Sequence, residues 1–156
     1  MQKPSYPLAV VMQRRQIQNR WVQAIWEPWS VLPGGREGDT GARLLVEERE
    51  FAQWLHPGFT LLLHRDEAEG YYLNVSAQDP RVFVLWHEEE GRGVPLAVTA
   101  STNEAARWAD GGHTIDGVTM PPEIHAWVGR YVEQNYRPEP KQRVKPRSFR
   151  SPGDRA

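Results

Sequence analysis

A chain of 156 residues is long enough for one domain with its own core, and its lack of cysteine excludes disulfides, iron–sulfur clusters and thiol nucleophiles. The net charge of −1 conceals a body of charge −10 between Trp21 and Tyr136, flanked by basic ends of +4 and +5. Because an acidic body repels nucleic acid, such a partner could bind only at the ends and is disfavoured.

The first part of the chain predicts three strands and one loop. Residues 8–15 are apolar and then basic, which indicates a first strand. Pro28 interrupts the aromatic segment 21–32, so we expect an edge strand or a bulge there. Residues 33–41 are a loop by composition, and residues 43–50 predict a further strand.

The middle of the chain predicts an antiparallel meander. Residues 66–70 are expected to form a turn within it. Strands joined by short turns in this way favour antiparallel pairing of neighbours. The four strand-like segments are residues 59–65, 71–77, 82–88 and 94–100.

Two helices are predicted after Ala100. Ser101 and Glu104 have the spacing of a capping box, and Gly111 stops the short helix that they open. Pro121 and Pro122 fit the first turn of a second helix. Its apolar side chains recur at helical spacing, so one face is expected to pack on the sheet: Ile124, Trp127, Val128, Tyr131 and Val132.

These elements predict an α+β fold that is mainly antiparallel β (a meander, a sandwich or a partly open barrel), with one short helix and a C-terminal amphipathic helix. Residues 1–136 are expected to form a single β-rich domain, with the last helix at about 121–136. Residues 137–156 predict a basic, proline-rich disordered tail. The sequence contains neither a membrane-spanning run nor a signal-peptide core, so we expect a cytoplasmic protein with no membrane partner.

No complete catalytic, metal-binding or cofactor-binding motif occurs in the sequence. His64, Arg65 and Asp66 match the kinase catalytic triplet, but Tyr71 stands where that motif needs a metal-binding Asn. The histidines lack metal-ligand spacing, and the glycine-rich loop 33–41 lacks the Gly-Lys-Ser/Thr of a phosphate-binding loop. We therefore expect no metal and no cofactor, and the sequence favours a non-enzymatic role.

Aromatic content suggests a role in binding, since the chain has seven Trp and five Tyr. Trp26 and Trp29 lie three residues apart and cannot both face one side of an ideal strand. At least one of them is therefore expected at the surface or in a groove. The acidic turn after Arg65, with the two tyrosines that follow it, is a second candidate surface. The predicted partner-binding residues are Trp26, Trp29, Asp66, Glu67, Glu69, Tyr71 and Tyr72.

Two alternatives stay open. A small-ligand binder or an enzyme could use a pocket in which His64, Arg65, Asp66 and Tyr71 converge. Weak nucleic-acid binding could use the tail, where Phe149 offers one stacking ring among bases. The tail could equally be a solvated segment with no specific partner. Its basic residues are Lys141, Arg143, Lys145, Arg147 and Arg150.

Several segments resemble a proteobacterial family known only as a domain of unknown function. They are PLAVVMQRR, NRWVQAIWEPWSVLP, HRDEAEGYYLNVS, PRVFVLW, TNEAARWADGG and MPPEIHAWVGRYVEQNYRPEP, and the resemblance extends to about Phe149. Genes of that family tend to lie beside genes for molybdenum-dependent formate dehydrogenase and its maturation factors. The resemblance therefore implies an accessory or assembly protein that binds a formate dehydrogenase subunit or maturation factor.

Some members of that family carry the label of a molybdopterin-guanine dinucleotide biosynthesis protein. Guanylyltransferases of that pathway have a glycine-rich loop of the type LAGGxSxRMGxxK after their first strand. Here the first strand is followed by Gln16, Ile17 and Gln18, which offer no glycine for a nucleotide phosphate to approach. The β-rich order also lacks the alternating strand and helix units of such a fold, so the sequence does not support that activity.

Overall fold

The computed structural model describes residues 3–17, 24–36 and 38–137. The predicted tail, including its five basic candidates, lies outside the described residues apart from Arg137. The elements in chain order are β1 (Ser5–Gln16), β2 (Ala24–Pro33), β3 (Arg43–Glu47), β4 (Phe51–Leu62), a 3-10 turn (Arg65–Glu67), α1 (Ala68–Val75), β5 (Arg81–Glu89), β6 (Arg92–Thr99), α2 (Thr102–Asp110), β7 (Thr114–Thr119) and α3 (Pro122–Asn135).

The strands form two open antiparallel sheets. The four-stranded sheet has the order β2-β1-β4-β3, and the three-stranded sheet has the order β6-β5-β7. The predicted α+β class, mainly antiparallel β, is therefore confirmed, although neither sheet closes into a barrel. The described helices are all too short or too polar to cross a membrane.

Both sheets and α3 share one hydrophobic core. Leu8, Val10 and Met12 alternate along β1 and point into it, where they meet side chains of β5 and α3. The predicted amphipathic helix is confirmed, because Ile124 and Val128 are fully buried. Burying each such side chain contributes about 1.5–3 kcal/mol, so this core holds the sheets and the helix together.

Residues 65–75 differ from the prediction. The expected turn and strand are instead a 3-10 turn followed by α1. Tyr71 and Asn74, three residues apart, are buried, whereas Tyr72 and Leu73 between them are exposed. That is a helical period, but the tyrosines and Val75 have a strand-like composition that concealed it. The chain therefore passes from β4 to β5 through a helix, and the predicted meander is broken at this point.

The prediction differs from the structure for β4, which was found only in part, and for β7, which was missed. β4 was expected only from residue 59, but it begins at Phe51 and continues past Gly58, which has a φ of +91°. The pairing with β1 shifts register there, and this irregularity interrupts the sequence pattern. β7 was missed because most of its side chains are exposed, and it is recognisable only from its pairing with β5.

The expectation for Pro28 is confirmed in both respects. β2 is an edge strand, and its register with β1 shifts between Val11 and Met12. Their partners are Ser30 and Pro28, so Trp29 is the extra residue of a bulge. Trp29 therefore lies at an irregularity of this edge strand.

Candidate functional site

A cleft lies where the start of β1, the end of β4 and the last turns of α3 meet. Its volume is about 580 Å³, which falls within the range of small-molecule sites. Three of the four residues predicted for a ligand pocket, His64, Arg65 and Asp66, lie side by side on its wall. Its full lining is Lys3, Pro4, Leu63, His64, Arg65, Asp66, Tyr131, Gln134 and Asn135.

The junction that follows β4 positions the charged residues of the cleft. His64 has an extended backbone and precedes the 3-10 turn, so Arg65 and Asp66 project where the chain changes direction. The buried hydroxyl of Tyr71 accepts a hydrogen bond from the His64 backbone N–H at 2.9 Å. Tyr71 therefore lies behind the cleft and holds its wall in place, whereas the sequence prediction placed it among the lining residues.

The protonation of two cleft side chains follows from their contacts. Lys3 Nζ lies 2.9 Å from His64 Nδ1, and because an ammonium has no acceptor, Nδ1 must accept that bond. The proton of a neutral His64 is then on Nε2, which remains able to donate. Burial raises the pKa of Tyr131, with Arg65 acting against the rise and Asp66 adding to it, so its hydroxyl stays protonated.

A second surface is formed by the side of the four-stranded sheet that faces away from the core. Ala9, Val11 and Gln13 alternate with the core residues of β1 and point to this side. Leu32 pairs with Ala9, and Trp29 lies in a shallow hollow beside Gln13. We call this surface the outer face; its exposed side chains are Trp29, Leu32 and Leu62, whereas Ala9, Val11 and Gln13 on the same side are buried.

The outer face exposes large apolar side chains. Trp29 is 54% exposed, Leu32 47% and Leu62 41%. Polar groups border them: Gln53 donates to Gln13 at 2.7 Å. Exposed apolar side chains next to hydrogen-bonded polar ones are typical of surfaces that bind other proteins.

Comparison with known proteins places most of the chain in one family. The sequence profile of DUF3305, described as a protein of unknown function, matches residues 7–145. The chain belongs to the DUF3305 family. No curated protein and no solved structure matches it. The match includes every residue of the outer face and all of the cleft except Lys3 and Pro4.

The predicted partner-binding residues of this DUF3305 chain separate into exposed and buried groups. Trp29 and Tyr72 are exposed, as are Asp66 and Glu69 beside the 3-10 turn. Trp26 is only 8% exposed, because it packs on Trp54 with ring centroids 5.1 Å apart and has Gly93 against its Cβ. Glu67 and Tyr71 are buried too, so these three side chains are not available on this surface. Whether the exposed ones bind a partner stays a prediction.

Glu67, the last residue of the 3-10 turn, instead links this turn to α2. Its carboxylate accepts from the Ser101 hydroxyl and forms an ion pair with Arg107 of α2. The Ser101 hydroxyl also accepts from the Glu104 backbone N–H at 3.0 Å, which is one half of the predicted capping box; the Ser101 N–H donates to Thr99 Oγ1 and not to Glu104. The network fastens the segment that carries Arg65 to α2, a contact that no sequence motif indicated.

A smaller recess of about 200 Å³ is lined by Trp26, Trp54 and His56. Glu89, Glu90 and Arg92 also line it. Burial lowers the pKa of His56 below its usual value. His56 is therefore neutral in the folded protein at neutral pH.

The lowered pKa of His56 predicts a pH-dependent stability. The unfolded chain takes up a proton at about pH 6.5, before the folded protein does, so the free energy of unfolding should fall as the pH drops below 6.5. Urea unfolding at a series of pH values measures this slope, which should be shallower in His56→Gln. The exposed His113 supplies the control, since His113→Gln should leave the slope unchanged. Equal slopes in all three proteins would contradict the prediction.

Metal ligation has no support in the described part of the DUF3305 chain. No group of three or more His, Asp or Glu side chains there is arranged to hold a metal ion. His87, which lies among glutamates, contacts Glu89 at 3.3 Å on an exposed hairpin. A solvated ion pair accounts for that cluster.

Proposed function

We propose that this protein is a non-enzymatic accessory protein that binds a protein partner through the outer face. The proposed partner is a subunit or maturation factor of a cytoplasmic molybdenum-dependent formate dehydrogenase. The observation that carries the binding mode is the 54% exposure of Trp29 at a bulge of the edge strand β2. The partner's identity rests on the resemblance to the family encoded beside those genes.

The composition of the outer face supports this mode. Trp is enriched among the residues that dominate binding energy, and Leu32 and Leu62 extend the apolar area on the same face. The Arg15 and Glu27 pair, with Nε and Oε1 3.0 Å apart, adds charge next to the Trp29 hollow. An apolar centre with a charged margin matches the usual anatomy of a protein interface.

The tail adds a second contact in this proposal. Its basic residues would meet acidic groups of the same partner after the outer face has bound. Tethering makes that second contact intramolecular, which raises affinity without a large new interface. A chain that ends at Tyr136 should therefore bind the same partner more weakly, and the difference should shrink at high salt.

The test is affinity purification from native extract with mass spectrometry. Trp29→Ala combined with Leu32→Asp should reduce the recovery of a formate dehydrogenase component by roughly 30-fold or more, because a Trp anchor contributes about 2 kcal/mol or more. Leu96→Asp is the matched control, since Leu96 is 47% exposed like Leu32 but lies on β6. The control should retain the partner.

Two results would contradict the proposal. If the unaltered protein recovers no formate dehydrogenase component, the proposed partner is wrong. If the control and the outer-face variant recover that component equally, the outer face is not where it binds. Circular dichroism of each variant establishes that the comparison is made between folded proteins.

A second candidate function is the binding of a small ligand in the cleft. It is supported by the position of His64, Arg65 and Asp66, three of the four residues that this alternative requires, around one cavity. Trp29 and Leu32 of the outer face do not line the cleft. The two functions can therefore be tested by separate variants.

A further inference from the structure

We propose that the cleft binds a small organic acid, with its carboxylate between Lys3 and Arg65 and its apolar part against Leu63 and the Tyr131 ring. The proposal rests on the second candidate function and deepens it by naming the ligand class. Its starting point is the juxtaposition of Lys3, His64 and Tyr131, which are far apart in the sequence but line one cavity.

Charge is the first argument for an acid. Two cationic side chains, Lys3 and Arg65, line the cleft together with one carboxylate, Asp66, so the lining carries one net positive charge. The body of this protein has a charge of −10, and most of its surface therefore repels anions. A local excess of positive charge in that setting favours a ligand with one net negative charge.

Hydrogen-bond donors are the second argument. The Lys3 ammonium and the Arg65 guanidinium have donors only, and Arg can grip a carboxylate with two parallel bonds. The protonated hydroxyl of Tyr131 and Nε2–H of His64 can also donate. Four donor side chains around one cavity suit the acceptor oxygens of a carboxylate.

The remaining lining decides between an organic and an inorganic anion. Pro4, Leu63 and the Tyr131 ring form apolar walls, which an inorganic ion would not cover. Asn135, which also lines the cleft, donates through Nδ2 to the Tyr131 carbonyl at 2.9 Å, and its Oδ1 is an acceptor. With Asp66 it offers acceptors to a hydroxyl or amino group on the ligand. A volume of about 580 Å³ accommodates an acid with a ring or a short chain.

The test titrates the full-length protein with benzoate, with benzamide as its neutral analogue, and with inorganic phosphate. Chemical shifts of the His64 and Tyr131 rings report where each probe binds. Benzoate should shift both rings and bind about tenfold or more tightly than benzamide, because charge-assisted bonds to Lys3 and Arg65 form only with the carboxylate. Phosphate should bind more weakly than benzoate, since it leaves the apolar walls in water.

Variants of the charged residues complete the test. Arg65→Gln should weaken benzoate about tenfold, whereas Asp66→Asn should tighten it by removing the like charge. Arg43→Gln is the matched control, since Arg43 is an exposed arginine on β3, away from the cleft. It should leave the affinity unchanged.

Each contrary result has a distinct meaning. Equal binding of benzoate and benzamide, or an unchanged affinity in Arg65→Gln, would overturn the preference for an acid while leaving the cleft as a binding site. Phosphate binding as tightly as benzoate would replace the organic acid with a simple anion. If no probe shifts the rings up to about 10 mM, both this proposal and the ligand-binding function fail. The outer-face proposal is unaffected by any of these results.

Discussion

Gly70→Ala is expected to lower the free energy of unfolding by about 2–3 kcal/mol. A Cβ at this position would lie 2.0 Å from Ser101 Oγ and 3.0 Å from Ser101 Cβ, so one side must move. Ser101 is fully buried, and its hydroxyl is held by bonds to Glu67 and Glu104. The Ser101 side chain cannot move away without losing the cap of α2 and its bond to the buried Glu67 carboxylate. The added Cβ is therefore accommodated only if α1 separates from α2.

The matched control for Gly70 is another helical glycine. Apart from its own helix backbone and chain neighbours, no described atom lies within 4 Å of a Cβ added at Gly129 of α3, so Gly129→Ala should stabilise the protein by about 0.5–1 kcal/mol through helix propensity. Urea unfolding followed by Trp fluorescence measures both changes. A Gly70→Ala protein as stable as the unaltered one would show that α1 and α2 do not approach each other this closely.

Asn74→Ala should destabilise the protein by about 3 kcal/mol or more. Asn74 is 2% exposed, and its Nδ2 donates to the backbone carbonyls of Arg81 at 2.6 Å and Ala100 at 2.8 Å. Its Oδ1 accepts from the Arg81 backbone N–H at 2.9 Å. The substitution leaves three backbone groups without these partners, and each such buried group costs about 1–3 kcal/mol.

Two comparisons isolate the role of the Asn74 amide. Asn74→Asp keeps an acceptor for the Arg81 N–H but turns a carboxylate oxygen towards two carbonyls, so it should destabilise at least as much as Asn74→Ala. Asn103→Ala removes a half-buried asparagine from the first turn of α2 and should cost less than about 1 kcal/mol. Denaturant midpoints of the three variants test the order. If Asn74→Ala lowered the free energy of unfolding no more than Asn103→Ala does, the predicted order would be wrong.

The fold class was predictable because its signals are local. The apolar spacing of α3, the capping box at Ser101 and the proline in β2 each depend on residues a few positions apart. α1 was not predictable in the same way. Its composition favours a strand, and its helical form is stabilised by contacts with α2 and α3 and by the bonds of Asn74 to Arg81 of β5 and to Ala100, which follows β6.

The candidate sites were predictable only in part. His64, Arg65 and Asp66 stood out because they are adjacent charged residues, but Lys3 and Tyr131 carried no signal that they belong to the same cleft. The odd spacing of Trp26 and Trp29 predicted that they face different sides of a strand, but not which of them is exposed. The structure decides this, because Trp26 packs against Gly93 and Trp29 is exposed.

The sequence by itself determined the mainly antiparallel α+β class, the amphipathic C-terminal helix and the contrast between an acidic body and basic ends. These properties follow from composition and from periodicity within single elements. Only the tertiary structure decided that residues 68–75 are helical, that Glu67 is buried against Ser101 and that Lys3 meets His64. Those features depend on contacts between residues 34 or more positions apart or on packing between elements, which local patterns do not encode.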